Sequence, residues 1–415
     1  MQQIGTQIRK LRKERKLTLQ QLAGDRLTKG MLSLIENGKA QPSMESLHYI
    51  AKQLNVHISV LMQNETANEA AARLQQLEEA IESYRYLPTE EAREELRIRE
   101  IVSLASFIEA SQFTTFEEVE IYYYYASYYT FALSEEKEQL LRDVMQHYSR
   151  FHAHSHVVRC YLRIMEMYFA EQCYAEGLAT LEEAEQYIDT HTAHVDVMRK
   201  IDVYYYTVVL ASALGKQDIT AHYTDKVLTL CKENRLYYET SELYRIRFSE
   251  SLTTDAEQAR YFLMKMEQFA TFTEDITEQS FYELTRISYT ITVDKDYDQA
   301  LAYIDAFTYS DVPVYREIFE HSLQGLRGLV YYLRGQYETA LSHLQSYTVS
   351  TSTPYPLDIC SDYRKIAVRG MCRIQLGQIN EGKADVYEAY ERVMPYADNY
   401  YKREIISMYE VIQTM

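Results

Sequence analysis

The sequence predicts an all-α protein: a bundle of short helices over residues 1–62, then a long superhelical array of paired helices. Three observations predict it. Breakers are scarce, with 12 Gly and 6 Pro in 415 residues, which favours helices over many short strands and turns. Ala, Leu, Glu, Gln, Lys and Arg, the better helix formers, recur throughout. Similar short signatures also return at a near-constant interval from residue 172 onward, the mark of stacked helical units.

The front of the chain reads as separate short helices. Ile4, Ile8 and Leu11 share one face of the first, amid basic residues. Thr18 is placed to cap LQQLA, and Gly24 and Asp25 make a turn. Thr28 opens KGMLSLIEN, and Gly38 supplies the positive φ that ends it. Pro42 and Ser43 break the chain before MESLHYIAKQL, where Leu47, Ile50 and Leu54 share a face. Charge divides at the same place. Residues 1–62 hold ten Lys/Arg and four Asp/Glu, a net +6, so the rest carries -24 of the total -18. Only the front segment suits a polyanion; the acidic body repels nucleic acid and anionic membrane surfaces.

TLQQLAGDRLTKGMLSLIENGKAQPSMESLHYIAKQLNV, with Leu22, Ala23, Leu32, Ile35, Glu36, Gly38, Pro42, Leu47 and Ile50 in order, resembles the helix-turn-helix domain of the lambdoid phage repressors. The resemblance implies that the helix at 28–36 enters the major groove of double-stranded DNA. Leu32 and Ile35 then face the core, leaving Thr28, Lys29, Gly30, Ser33 and Leu34 for the DNA side. Lys29 suits guanine O6/N7, and Leu34 or the Thr28 methyl suits a thymine methyl. Asn37, Lys39 and the basic residues of the first helix are expected on phosphates, which position without specifying. Leu19 stands where many relatives carry a phosphate-binding Gln. Such a domain grips a half-site weakly alone, so the body is expected to pair two copies on a near-palindromic operator.

We place a DNA-binding domain at 1–65, a helical linker at 66–80 and a repeat domain at 81–415. QCYAEGL, GKQDITA, TTDAEQAR, DKDYDQAL, RGQYETAL and LGQINEGK align on Tyr174, Gln217, Ala256, Tyr297, Tyr337 and Ile379, at intervals of 43, 39, 41, 40 and 42 residues. Three residues after each anchor stand Gly177, Thr220, Ala259, Ala300, Ala340 and Gly382, small enough for close helix packing. With Gly328, Tyr331, Tyr337 and Ala340, and Gly370, Gly377 and Ala389 in the last unit, the array resembles tetratricopeptide (TPR) repeats in a longer form, in a right-handed superhelix; HEAT-like pairs are the alternative. That resemblance implies that the first helix of each pair lines a concave face. Counting back from the anchors gives Tyr205, Ser212, Ser241, Tyr244, Tyr282, Tyr289, Tyr332 and Arg364, with Arg159, Glu166 and Asp202 nearer the start. Tyrosine rings and mixed charge suit an extended peptide.

Other classes find little support. Cys160, Cys173, Cys231, Cys360 and Cys372 form no CxxC, so neither a disulfide framework nor a zinc site is expected and a reducing cytoplasm fits. The N-terminus has charges where a signal peptide needs an apolar core, and no apolar run suits a membrane span. P-loop, GxSxG and GxGxxG are absent, so no enzyme and no cofactor is expected. In HAHSH, His152 and His156 would share a helical face but lack a third ligand, so no metal site is expected. IYYYYASYYTF (121–131) reads as a core or interface helix and EEAREELRIRE (90–100) as a solvated face.

A helix-turn-helix followed by TPR-like repeats at this length resembles the RRNPP group, the peptide-responsive quorum-sensing regulators of Gram-positive bacteria of the NprR and PlcR type. The resemblance implies a cytoplasmic transcription regulator, a homodimer or higher assembly, gated by a short signalling peptide. Several members hold the peptide backbone with Asn residues, for which Asn234 and Asn380 are the nearest candidates. Two alternatives of related architecture stay open: a body that inhibits a phosphorelay response regulator, and a phage lysogeny switch.

Overall fold

The computed structural model describes residues 2–62, 65–84, 90–128, 135–349 and 354–415. Only helices, turns and connections occur among them. The chain falls into two compact units, one of residues 1–168 and 182–199, the other of 169–181 and 200–415.

The first unit begins with five short helices, α1 (Gln2–Glu14), α2 (Leu19–Ala23), α3 (Lys29–Glu36), α4 (Met44–Gln53) and α5 (Ile58–Met62). Local chemistry sets their starts. Thr18 and Gln21 form a reciprocal capping box on α2, Thr28 caps α3 and Ser43 caps α4. Gly24 and Gly38 take φ of 53° and 68° in the turns between them. Ile8, Leu22, Leu32, Ile35, Leu47 and Ile50 are buried together.

Next come α6 (Glu65–Tyr84), α7 (Glu90–Ala110), α8 (Phe116–Tyr128), α9 (Glu135–Arg150), α10 (His154–Ala170), α11 (Tyr174–Thr190) and α12 (Val197–Ala213), the last three with residues in both units. The segment read as a linker is α6, and Ala70, Leu74 and Leu77 on it are buried with Leu104 and Ile121. The core of α1–α5 is continuous with Phe116, Val119 and Tyr148 of α8 and α9. The expected core helix at 121–131 is α8 as far as Tyr128; residues 129–131 lie outside the described set. Tyr122 and Ala126 are buried there, with Tyr123 and Tyr125 packed against them. On α7, Arg99 meets Glu100 at 3.4 Å and Arg73 reaches Glu100 from α6 at 3.3 Å.

The second unit is an array of hairpins. α12 pairs with α13 (Gln217–Asn234), and α14 (Thr240–Ser251) with α15 (Ala256–Thr273). α16 (Ile276–Tyr289), which runs into a π-helical turn at Thr290–Asp294, precedes α17 (Tyr297–Asp305). α18 (Pro313–Leu333) precedes α19 (Tyr337–Leu344), α20 (Pro356–Gln375) precedes α21 (Ile379–Val393), and α22 (Tyr400–Gln413) follows. Each of the six sequence anchors is the first residue of the second helix of its pair, α11, α13, α15, α17, α19 or α21. The small residues three positions later are all buried. Two positions before the anchor the backbone turns left-handed in five of the six pairs, at Gln172, Gly215, Lys295, Gly335 and Gly377. The constant spacing therefore reflects one repeated turn and one repeated close contact. At Gly370 and Gly382 that contact leaves no room for a side chain: a Cβ on either would lie 2.5 Å from the other's carbonyl oxygen.

Successive hairpins pack side by side, α13 on α14, α15 on α16, α16 on α18 and α18 on α20. The array also turns back on itself. Tyr355 Oη donates to Ser212 Oγ at 2.9 Å, 143 residues away. Tyr174 Oη donates to Pro354 O at 2.6 Å, and Tyr396 Oη to Gln172 Oε1 at 2.7 Å, 180 and 224 residues away. Two ends of a helical array meet in this way only if it is strongly curved.

Candidate functional sites: the outer face of α3 and the inner face of the repeats

Helix α3 stands on the rest of its domain through Leu32 and Ile35, both essentially inaccessible. Below them Arg12 grips Glu36 with two charge-assisted bonds, Nε to Oε1 at 2.5 Å and Nη2 to Oε2 at 2.8 Å, and donates to Leu17 O at 2.9 Å. This fork fixes the end of α3 on α1 and on the α1–α2 turn. It also corrects one expectation: Arg12 is one of the basic residues assigned to phosphates, yet its side chain is only 12% exposed and spent on Glu36. Arg9 and Arg15 are exposed and bond within the domain, to Asn37 Oδ1 at 3.3 Å and Asn55 O at 3.3 Å. Lys10, Lys13 and Lys16 are exposed.

Thr28, Lys29, Gly30, Leu34, Asn37 and Lys39 are exposed, and Ser33 is half-buried. Several polar groups among them already have partners. Thr28 Oγ1 accepts the Met31 N–H at 3.1 Å, and Asn37 Nδ2 donates to Ser33 O at 2.7 Å and lies 3.5 Å from Ser33 Oγ. The residue sequence reasoning omitted is Met31, 47% exposed beside Leu34 at 45%. Its place one turn before Leu34 was the available signal.

α4, α5 and α8 meet over a set of titratable groups. His48 packs edge-on against Phe116, ring centroids 4.4 Å apart. His57 Nδ1 lies 3.9 Å from Glu117 Oε1, too long for a hydrogen bond, and both carboxylate oxygens of Glu117 are buried without a hydrogen-bond partner. Burial raises the Glu117 carboxyl to about 7 and lowers His48 to about 4. Nearby His156 packs against Phe116 and Tyr148 and is likewise lowered to about 4 by burial. His152 precedes α10 in a left-handed conformation, so HAHSH is not one helical face; His154 stacks on His191 instead, 4.4 Å away. Among the described residues no group of His, Cys, Asp and Glu is arranged to hold a metal ion.

The eleven residues assigned to a concave face are divided between the two units. Arg159 and Glu166 lie in the first unit. Arg159 donates to both oxygens of Glu120 at 2.8 Å and to Tyr148 Oη at 2.7 Å, with its guanidinium 3.9 Å over Tyr123. This buried network is part of the core. Glu166 accepts from Arg163 at 2.8 Å and is 43% exposed.

In the second unit three of the tyrosines turn toward α15. Tyr244 stacks on Phe262, Tyr282 donates to Glu267 at 2.9 Å, and Tyr289 accepts from Arg260 at 3.1 Å and packs with Phe248. They are inter-helix packing residues. Tyr332 packs with Met371 and Met408. Arg364 pairs with Glu404 and donates to Tyr400 Oη at 3.2 Å. Asp202 and Ser241 are buried, and Ser212 accepts from Tyr355 as described.

The inner face is identified by contacts that span the curve. Arg245 on α14 lies 4.0 Å from Asp358 on α20, three hairpins further along, and donates to Glu242 at 2.6 Å. Such a pair can form only across the inside of the bend. Asp358 is 46% exposed, yet loss of hydration is the chief cause raising its pKa. Tyr205 lies near the same charged groups: burial, then Glu242 and Glu239, raise its pKa. Glu239 and Glu278 are raised by burial and by their acidic neighbours. Sequence reasoning missed Arg245, Glu242, Tyr355 and Asp358. The count back from the anchor reached Tyr244, one residue and about 100° of helix short of Arg245.

No helix of the described residues is long and apolar enough to cross a membrane. A search of curated proteins gave no match. Solved structures resemble parts of the chain at low identity. Bacillus thuringiensis PlcR in complex with the peptide PapR7 and DNA has 14% identity and a TM-score of 0.36, covering 66% of this chain and 99% of that one. Streptococcus dysgalactiae Rgg2, a pheromone receptor, has 15% identity and a TM-score of 0.32, covering 70% and 100%. ComR from S. thermophilus, with DNA and its signalling peptide ComS, has 16% identity and a TM-score of 0.26, covering 58% and 97%. These values are too low to carry function across. The N-terminal segment is different, since the helix-turn-helix family HTH_3 matches residues 8–61, the span of the capped helices around Leu32 and Ile35. Residues 8–61 are a helix-turn-helix domain.

Proposed function

We propose that the chain is a DNA-binding transcription regulator, not an enzyme, gated by a short peptide held on the inner face of its repeats. One observation carries the reading: a helix-turn-helix domain with its α3 outer face open is joined in one chain to a curved helical array whose inner face exposes the Arg245–Asp358 pair. The +6 charge of residues 1–62 against the acidic remainder supports contact with DNA at that end alone.

Within this proposal residues 1–65 read DNA, 66–80 connect, and 81–415 sense the peptide and dimerise. Lys29, Gly30, Leu34 and Met31 face the groove, and Thr28, Ser33, Asn37 and Lys39 border it. Two copies engage a near-palindromic operator in the cytoplasm. Asp202, Tyr205, Ser212 and Ser241 of the original set, with Arg245, Tyr355 and Asp358, hold the peptide. Both charge signs and tyrosine hydroxyls on the inner side of a curved array suit an extended backbone with charged ends. Peptide binding acts by altering the Tyr355–Ser212 and Arg245–Asp358 contacts, and so the curvature of the array.

The test is a fluorescence titration of the full chain with a synthetic peptide, its sequence taken from a short secreted reading frame beside the gene. Saturable binding is expected, weakened at least ten-fold by Arg245→Ala or Asp358→Ala. Binding that neither substitution alters refutes the placement of the peptide.

A further inference from the structure

The outer face of α3 has an unusual chemistry for a surface that reads bases. Lys29 is the only cation on α3 itself, with Lys39 exposed beyond its end. The hydroxyl of Thr28 is occupied by the cap of its own helix, and the Asn37 side chain is occupied on both sides, by Ser33 O and by Arg9. Ser33 is half-buried. Gly30 offers no side chain, and a Cβ there would meet only Thr28 Oγ1, 3.9 Å away. What remains in quantity is apolar: Met31 and Leu34, each nearly half exposed. At about 100° per residue they lie ~60° apart, and Gly30 falls beside Leu34 on the side opposite Leu32 and Ile35. The bare backbone at Gly30 lets the helix approach the groove floor, bringing both apolar side chains to base edges.

Only one feature of the major-groove floor rewards apolar contact, the 5-methyl group of thymine, which distinguishes T·A by position and strand. We infer that α3 reads its operator through thymine 5-methyl groups, seated against Met31 and Leu34, with hydrogen-bonded base contacts in a minor role. This inference rests on the DNA-binding function proposed above and goes beyond it, because it names the base chemistry that sets specificity. 5-Methylcytosine carries the same methyl at the same groove position and serves as a second probe.

The test uses the full-length protein and a random pool of double-stranded DNA. After enrichment, the selected site is resynthesised with single thymines replaced by deoxyuridine, which removes only the methyl group. Loss of one seated methyl, worth about 0.8 kcal/mol, weakens binding about four-fold. The double variant Met31→Ala/Leu34→Ala binds thymine and deoxyuridine sites equally. Cytosine replaced by 5-methylcytosine at a thymine position recovers part of the affinity lost on a T-to-C change. Both side chains are exposed, so the variant keeps its fold, which its melting curve verifies. If a specific site is enriched but deoxyuridine binds as well as thymine at every position, the inference is overturned and DNA binding stands. If nothing is enriched, the DNA-binding proposal fails and the inference with it.

Discussion

Glu117→Gln should stabilise the protein near neutral pH and leave it almost unchanged in acid. Glu117 sits at the junction of the helix-turn-helix domain with α8, fully buried, and neither carboxylate oxygen has a hydrogen-bond partner. Burial raises its pKa from 4.5 to about 7. The folded state thus holds the proton more tightly than the unfolded state. Its contribution is full below the unfolded value of 4.5 and is lost as pH rises to about 7. At 1.36 kcal/mol per pH unit, the ionised carboxylate costs up to ~3 kcal/mol in the folded protein at about pH 8. Gln keeps the shape and never ionises. Urea unfolding followed by far-UV circular dichroism should show the variant more stable by up to ~3 kcal/mol at about pH 8, shrinking to ~0.5 kcal/mol at about pH 4.5. Burial depresses His48 and His156 to about 4, which favours the fold as pH rises toward 6.5, but both proteins share this and the difference cancels it. Equal stability of the two proteins at both pH values would refute the reasoning, because Glu117 would then be ionised and compensated.

Three further substitutions probe the scaffold. Gly382→Ala drives a Cβ to 2.5 Å from Gly370 O and should destabilise the array by about 2 kcal/mol, read as a lower urea midpoint. Leu32→Ala opens a cavity beneath α3 and should cost about 3 kcal/mol, checked the same way. Glu36→Ala leaves the half-buried Arg12 guanidinium unpaired and should destabilise the domain by on the order of 3 kcal/mol; a loss below ~1 kcal/mol would mean that the fork adds little.

What was legible in the sequence is what neighbours along the chain determine. Thr18, Thr28 and Ser43 cap the helices they precede because a cap needs only the next three residues. The six anchors fall on helix starts because each repeat carries its own turn and small residue. Side-chain pairing was not legible. Arg12 looked like a phosphate ligand until Glu36, 24 residues on, was brought beneath it. Arg159 looked like a channel cation until α8 and α9 enclosed it with Glu120 and Tyr148. Tyr244, Tyr282 and Tyr289 were placed on the correct helices but face α15, because a small error in helical phase moves a ring from the inner face to the packed one. The Arg245–Asp358 pair depends on the curvature of the whole array, which no local pattern encodes. Met31 was legible and was missed, because polar residues were sought on a face that is mostly apolar.

The central claim is that peptide on the repeats controls DNA binding by the helix-turn-helix domain. Its most direct test is fluorescence anisotropy of a labelled operator, enriched from the random pool, titrated with the full-length protein with and without the peptide encoded beside the gene. The account predicts that saturating peptide changes operator affinity at least ten-fold and that Asp358→Ala removes this response while the protein remains folded. Operator affinity that is the same with and without bound peptide would contradict it.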